Sequence, residues 1–311
     1  MKSTAVACVG VGNVGRSWAI VFARAGCRVT LWDADPAACD RALRAIEQGL
    51  RDLAEAGALA DPDEAFARVH VVAELEDAVA PAHWVQESAA EQLEAKQQLF
   101  ARMDAIAPRD AILASSTSAI PGSQFMVGLT GSARCLVAHP VNPPHLIPLV
   151  ELCGTAETAE PVIERAADFL TSLGQAPVRL NREIEGFLLN RLQWALLGEA
   201  MHLVGEGICS PQDIDRVLTD GLARRWSFIG PFAVAHLNAS KGVEGYFDVL
   251  SEAIARVQGT LRCDYPPTVQ VIDAAHAAMA ATTPVSAIAE RQQWRDRQLL
   301  KVNRFLTELE P

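Results

Sequence analysis

The sequence predicts an α/β protein: a doubly wound, mostly parallel sheet over residues 1–185, followed by an all-helical C-terminal domain over residues 186–311. Three observations predict it. Short runs rich in Val, Ile and Leu alternate with helical patterns up to about residue 180, the order expected of βαβ units. A glycine-rich turn joins the first such run to the first helix. Beyond Leu180 no strand-like alternation of any length occurs, and apolar residues recur at helical spacing.

Taken in order, the strand candidates are residues 5–11, 28–33, 83–88, 111–117, 135–139, 149–153 and 176–180. Several are apolar on both faces, which suits a sheet covered on both sides. Helical patterns at 37–53, 91–106 and 159–173 lie between them. The polar run NREIE at 181–185 marks the domain boundary. Residues 186–207 then read as one long helix, apolar over so broad a face that it requires burial on several sides. Ser210, Pro211 and Asp213 supply the N-cap, the first-turn proline and the capping-box acid of the next helix. Further helices are expected at 243–258, 267–281 and 288–309. No internal repeat or low-complexity segment interrupts them.

Composition narrows the function. At 311 residues, with 50% hydrophobic and 21% charged residues, the chain has ample core for two domains, and no apolar run is long enough for a membrane span. The N-terminus runs straight into a strand, without an export signal. The seven cysteines have no metal-site spacing and read as reduced, structural thiols of a cytoplasmic protein. A net charge of −11 argues against nucleic acid as a partner. No metal site is expected.

The first turn carries the strongest motif. Gly10, Gly12 and Gly15 form GxGxxG directly after a strand and before an amphipathic helix, and Asp33 ends the next strand. Gly10 permits the tight turn, Gly12 lets the backbone approach a pyrophosphate, and Gly15 lets helix and strand pack closely. Asn13 and Val14 open the helix, whose N-terminal N–H groups face the anion. Asp33 would accept hydrogen bonds from the adenosine ribose. A 2′-phosphate would meet Asp33 with Asp35 nearby, so the cofactor expected of this Rossmann-type domain is NAD.

The second motif is AHPVNPPHLIPLVE, residues 138–151. Taken alone it is a rigid, proline-stiffened loop between two strands. Beside a dinucleotide fingerprint it acquires a chemical meaning, because oxidation of an alcohol needs a group to accept the hydroxyl proton. Histidine suits the role because its unperturbed pKa lies near working pH, and His139 sits at the end of a strand. Glu151, on the following strand, can face it, fix its tautomer and favour its cation.

Together these motifs resemble the 3-hydroxyacyl-CoA dehydrogenase family. GVGNVG with Asp33, QESAAE at 86–91, SSTS at 115–118, HPVNPP with Glu151, and EGFLLNR at 185–191 occur in the family's order, and the match covers essentially the whole chain. The wording HPVNPPHLIPLVEL, with GRSWA, SFIGP and RQQWRD, is most similar to the branch of lambda-crystallin and L-gulonate 3-dehydrogenase. The resemblance implies His139 as general base and Glu151 as its orienting partner. It also implies that Ser118 hydrogen-bonds the reacting oxygen, that Asn190 helps hold substrate, and that Glu91 and Lys96 lie near the nicotinamide ribose. It further implies NAD-dependent oxidation of a small 3-hydroxy acid, with L-gulonate foremost. Pro140 and Val141 replace the aromatic residues usual after the histidine in the acyl-CoA enzymes, a departure from a CoA substrate. A short-chain 3-hydroxyacyl-CoA or carnitine dehydrogenase is the enzymatic alternative, and a crystallin-like NAD-binding structural protein the non-enzymatic one.

Lesser candidates complete the reading. Arg225 is the cation proposed for a substrate carboxylate, since a guanidinium forks onto it well. His145 is expected in an exposed loop. Trp194, Trp226 and Trp294 are expected to pack within the helical domain or at a subunit interface, and a homodimer through that domain is expected.

Overall fold

The computed structural model describes residues 4–309. The first compact unit runs to Leu188 and the second begins at Leu189. In the first unit, β1 (Ala5–Val9), β2 (Arg28–Trp32), β3 (Val69–Val71), β4 (Trp84–Glu87), β5 (Ile112–Ser115), β6 (Cys135–Pro140), β7 (Leu149–Gly154) and β8 (Ala176–Leu180) form one sheet. Its order is β3-β2-β1-β4-β5-β6-β7-β8. The first six strands are parallel; β7 runs antiparallel to β6, and β8 parallels β7. This is the doubly wound arrangement that the alternation of elements predicts, with its crevice where β1 and β4 diverge.

Helices α1 (Asn13–Arg24), α2 (Pro36–Glu55), α3 (Pro62–Phe66), α4 (Leu75–Val79), α5 (Leu93–Ile106) and α6 (Glu160–Ser172) make the connections. Val9, Val85, Leu113 and Val137 stack across neighbouring strands in one core cluster, joined by Phe100 and Met103 of α5. Strand β3 is absent from the sequence reading. It is a three-residue edge strand with only Val69 buried, too short to leave a periodic signal.

The second unit is helical: α7 (Leu189–Gly205), α8 (Pro211–Arg216), a π-helical turn at Val217–Leu222, α9 (Ala223–Trp226), α10 (Pro231–Leu237), α11 (Gly242–Gln258), α12 (Val269–Ala280) and α13 (Ile288–Leu309). The capping box of Ser210 and Asp213 forms as expected. Helix α7 begins three residues later than its apolar pattern suggests. Gly186 and Phe187 both take positive φ, 76° and 50°, and cannot be helical. Gly198 is the buried residue of α7, so the long apolar helix is largely uncovered within one chain. Trp194, Trp226 and Trp294 are exposed rather than packed within the domain. Among the described residues no helix is long and apolar enough to cross a membrane, and no group of side chains could hold a metal ion.

Candidate active site

The chemistry-bearing residues of the first unit gather along one edge of the sheet, outside the C-terminal ends of the parallel strands. The GxGxxG turn follows β1, Asp33 follows β2, Glu91 lies beyond β4, Ser118 beyond β5, and His139 is near the end of β6. Open α/β sheets bind their ligands at this edge.

The glycine turn is built for close approach. A Cβ on Gly15 would lie 1.9 Å from the Gly10 carbonyl oxygen, and one on Gly10, which has φ of 86°, would lie 2.6 Å from the Ala89 nitrogen. Gly12 is the N-cap of α1 and places no side chain on the helix end, so the first-turn N–H groups at Asn13 and Val14 remain open to an anion. Asp33 braces the turn: its Oδ2 accepts from the Val11 N–H at 2.9 Å and its Oδ1 from the Asp35 N–H at 2.9 Å. A cavity of about 380 Å³ opens beside it, lined by Trp32 and Asp33 on one wall and by Ala95, Leu99 and Arg102 of α5 on another. An apolar slot ending at a carboxylate suits an adenosine, and the cradle fits a dinucleotide.

At the other end of the edge, β6 and β7 pair in the register that sets His139 directly opposite Glu151. His139 Nδ1 lies 2.8 Å from Glu151 Oε2, and both side chains are buried. Glu151 Oε1 accepts the Leu188 N–H at 2.7 Å, which prevents the carboxylate from rotating away. The imidazole stacks near Phe187, ring centroids 5.2 Å apart. With Nδ1 committed to the carboxylate, Nε2 is the nitrogen left for a substrate proton. Phe187 is a site neighbour that the sequence reading missed, and its positive φ leaves no mark in a residue pattern.

Glu91 is exposed in the loop before α5, whereas Lys96 is a buried residue of that helix. Lys96 is 1% exposed and binds Glu87, a fully buried carboxylate at the end of β4 that the sequence reading also passed over. Glu87 follows Gln86 at the polar end of β4, where a carboxylate leaves no distinctive signal. Ser118 is exposed in the loop after β5, and its N–H donates to Glu91. Asn190 and Arg225 belong to the second unit: Asn190 is the second residue of α7, half-buried, and Arg225 is exposed on α9.

His145 corrects an expectation. Its loop folds back on α1, where the His145 carbonyl accepts from Arg24 Nη1 at 2.9 Å and Nδ1 is buried without a hydrogen-bond partner. Burial, then the charges of Arg24 and Arg16, push its pKa down to about 4. It is a neutral packing residue. All seven cysteines are free, and burial pushes Cys27 up to about 11 and Cys135 and Cys153 to about 12, which makes them inert thiols.

Two family models match the chain: 3-hydroxyacyl-CoA dehydrogenase, NAD binding domain, over residues 5–184, and 3-hydroxyacyl-CoA dehydrogenase, C-terminal domain, over residues 186–262. The chain belongs to the 3-hydroxyacyl-CoA dehydrogenase family. It is therefore an NAD-dependent oxidoreductase acting on a CH–OH group. Within the family it is similar to the lambda-crystallin homolog of Bos taurus, at 42% identity over 96% of this chain and 94% of that one. It is also similar to the L-carnitine dehydrogenase of Nocardiopsis dassonvillei, at 36% identity over 98% of this chain and 92% of that one. Among solved structures, the NAD+-dependent dismutase FHMPC 5-dehydrogenase superposes with a TM-score of 0.84 at 26% identity, over 99% of this chain and 100% of that one.

Proposed function

We propose that this family member oxidises the 3-hydroxyl of a small hydroxy acid, with L-gulonate as the first candidate, and that His139 is its general base. The observation that carries the reading is the buried His139–Glu151 pair at 2.8 Å, its carboxylate anchored by Leu188 N–H, at the same sheet edge as the dinucleotide cradle. The substrate hydroxyl gives its proton to His139 Nε2, and Glu151 stabilises the imidazolium that results. Ser118 donates a hydrogen bond to the reacting oxygen, and the roles of Asn190 and Arg225 in holding substrate are those the sequence suggests. NAD, held by the turn at Gly10, Gly12 and Gly15 and by Asp33, serves as hydride acceptor when bound. Similarity to the lambda-crystallin homolog supports the hydroxy-acid branch, and Pro140 and Val141 depart from the acyl-CoA enzymes.

The carnitine dehydrogenase likeness supports one competing substrate, since L-carnitine also carries a 3-hydroxyl and a carboxylate. We assign the uncovered apolar surface of the second unit, including Leu192 at 73% exposure and Phe232 at 79%, to a homodimer interface. The free thiols accord with a cytoplasmic setting.

Reduced-nicotinamide absorbance, followed with NAD and in turn L-gulonate, L-carnitine, 3-hydroxybutyrate and 3-hydroxybutyryl-CoA, tests the reading. Turnover of L-gulonate that falls on the order of 10² to 10⁴ in His139→Ala is the expected result. Turnover of the CoA ester alone overturns the substrate but keeps the base. No turnover of any of them, with NAD still bound, favours a structural role.

A further inference from the structure

A charge cluster beyond β4 and β5 runs from the buried Glu87 and Lys96 out to the exposed Glu91. Lys96 Nζ lies 2.9 and 3.1 Å from the two oxygens of Glu87 and 3.2 Å from Glu91 Oε2, three carboxylate oxygens for its three donors. Glu87 Oε1 also accepts the Ala89 N–H at 2.8 Å, and Oε2 the Ser115 hydroxyl at 2.5 Å. At the far end, Glu91 Oε1 accepts from the Thr117 hydroxyl at 2.6 Å, Ser118 N–H at 2.9 Å and Ala119 N–H at 3.0 Å. A continuous run of charge-assisted bonds thus reaches from the rigid end of β4 to the loop that presents Ser118. Burying a lysine is costly unless it is paired, so the cluster locks once formed.

We propose that Glu91 is a positioning residue, backed by Lys96 and Glu87, that holds residues 117–119 and through them sets Ser118 against the reacting oxygen. The inference rests on the reading of Ser118 given above. Burial raises the Glu91 pKa, but the Thr117 hydroxyl, the Lys96 charge and the Ala119 and Ser118 N–H groups outweigh it and hold it below the ordinary carboxylate range. Glu91 is therefore an acceptor at neutral pH, as the latch requires.

The full chain with Glu91→Ala and Glu91→Gln tests it. Glu91→Ala should speed amide hydrogen exchange at Ser118 and Ala119 about tenfold or more, and Glu91→Gln, which keeps an acceptor, should restore most of the protection. With a substrate that is turned over, Glu91→Ala should lower kcat, and adding it to Ser118→Ala should slow the enzyme no further than Ser118→Ala alone. Unchanged loop exchange, or a kcat preserved in Glu91→Ala, overturns the inference alone. So does a double variant whose losses multiply. Full kcat in Ser118→Ala sinks the earlier reading of Ser118 and this inference with it.

Discussion

The two compact units solve the burial problem in opposite ways. In the first, the strands are covered on both faces and the apolar residues of β1, β4, β5 and β6 are sealed from water. In the second, Ala235 and Val271 are the buried hydrophobic residues among those described, while Leu192, Phe232, Leu237 and Val249 stand open on the helices. A parallel sheet must be wrapped by its own crossover helices, so such a domain completes its core within one chain. A helix carries its own backbone hydrogen bonds and can leave its apolar stripe for another molecule. The proposed function places rigid chemistry on the self-sufficient unit and association on the unfinished one.

The largest effect should come from Glu151→Gln, which keeps the shape and the contact with Leu188 N–H but offers His139 the wrong hydrogen-bonding partner. A kcat loss on the order of 10² or more is expected, with NAD binding unchanged by fluorescence titration. A parent-like kcat would remove the chemistry from the well-packed unit. Gly15→Ala should come next. Its Cβ would meet the Gly10 carbonyl at 1.9 Å, so the turn must open, at about 1–3 kcal/mol in urea unfolding and with a clear loss of NAD affinity.

His145 offers a pH-dependent test of the same packing. Its folded pKa of about 4 lies below the ordinary 6.5, so between those values the unfolded chain binds the extra proton. The stability contributed by neutral His145 is complete above about pH 6.5 and drains as pH falls towards 4. His145→Gln should therefore reduce the stability lost between pH 7 and pH 5 by about 2 kcal/mol, measured by denaturant titration at both values. The smallest effect on single-chain stability should come from Phe232→Asp, within about 0.5 kcal/mol, because the side chain is already in solvent. The same variant should convert a dimer to monomer in light scattering. A parent that is monomeric would sharpen the contrast into a question of what else covers these helices.

Local chemistry was legible where a motif carries its own reason. The turn at Gly10, Gly12 and Gly15 announces a phosphate cradle because only glycine tolerates the approach of Gly15 to the Gly10 carbonyl. Asp33 at the end of a strand and His139 with Glu151 across a proline-rich return could likewise be picked from residue types and spacing. Lys96 and Glu87 could not. Charged residues are expected in water, and nothing within α5 or β4 says that the two will neutralise each other in the interior. His145 misled for the mirror reason: prolines suggest an exposed loop, and only packing against Arg24 and α1 half-buries it and sequesters its Nδ1.

By itself, then, the sequence determined the class of fold and the cofactor cradle, and it singled out His139 and Glu151 as the candidate proton-transfer pair, since each depends on short-range periodicity or on residue chemistry. Only the tertiary structure decided that β7 runs against β6 so that His139 and Glu151 become cross-strand partners, that Glu87 is joined through Lys96 to Glu91 and the Ser118 loop, and that the helical unit leaves its apolar face uncovered. These are matters of long-range register and burial, settled by which surfaces meet once the chain has collapsed, and no local pattern encodes them.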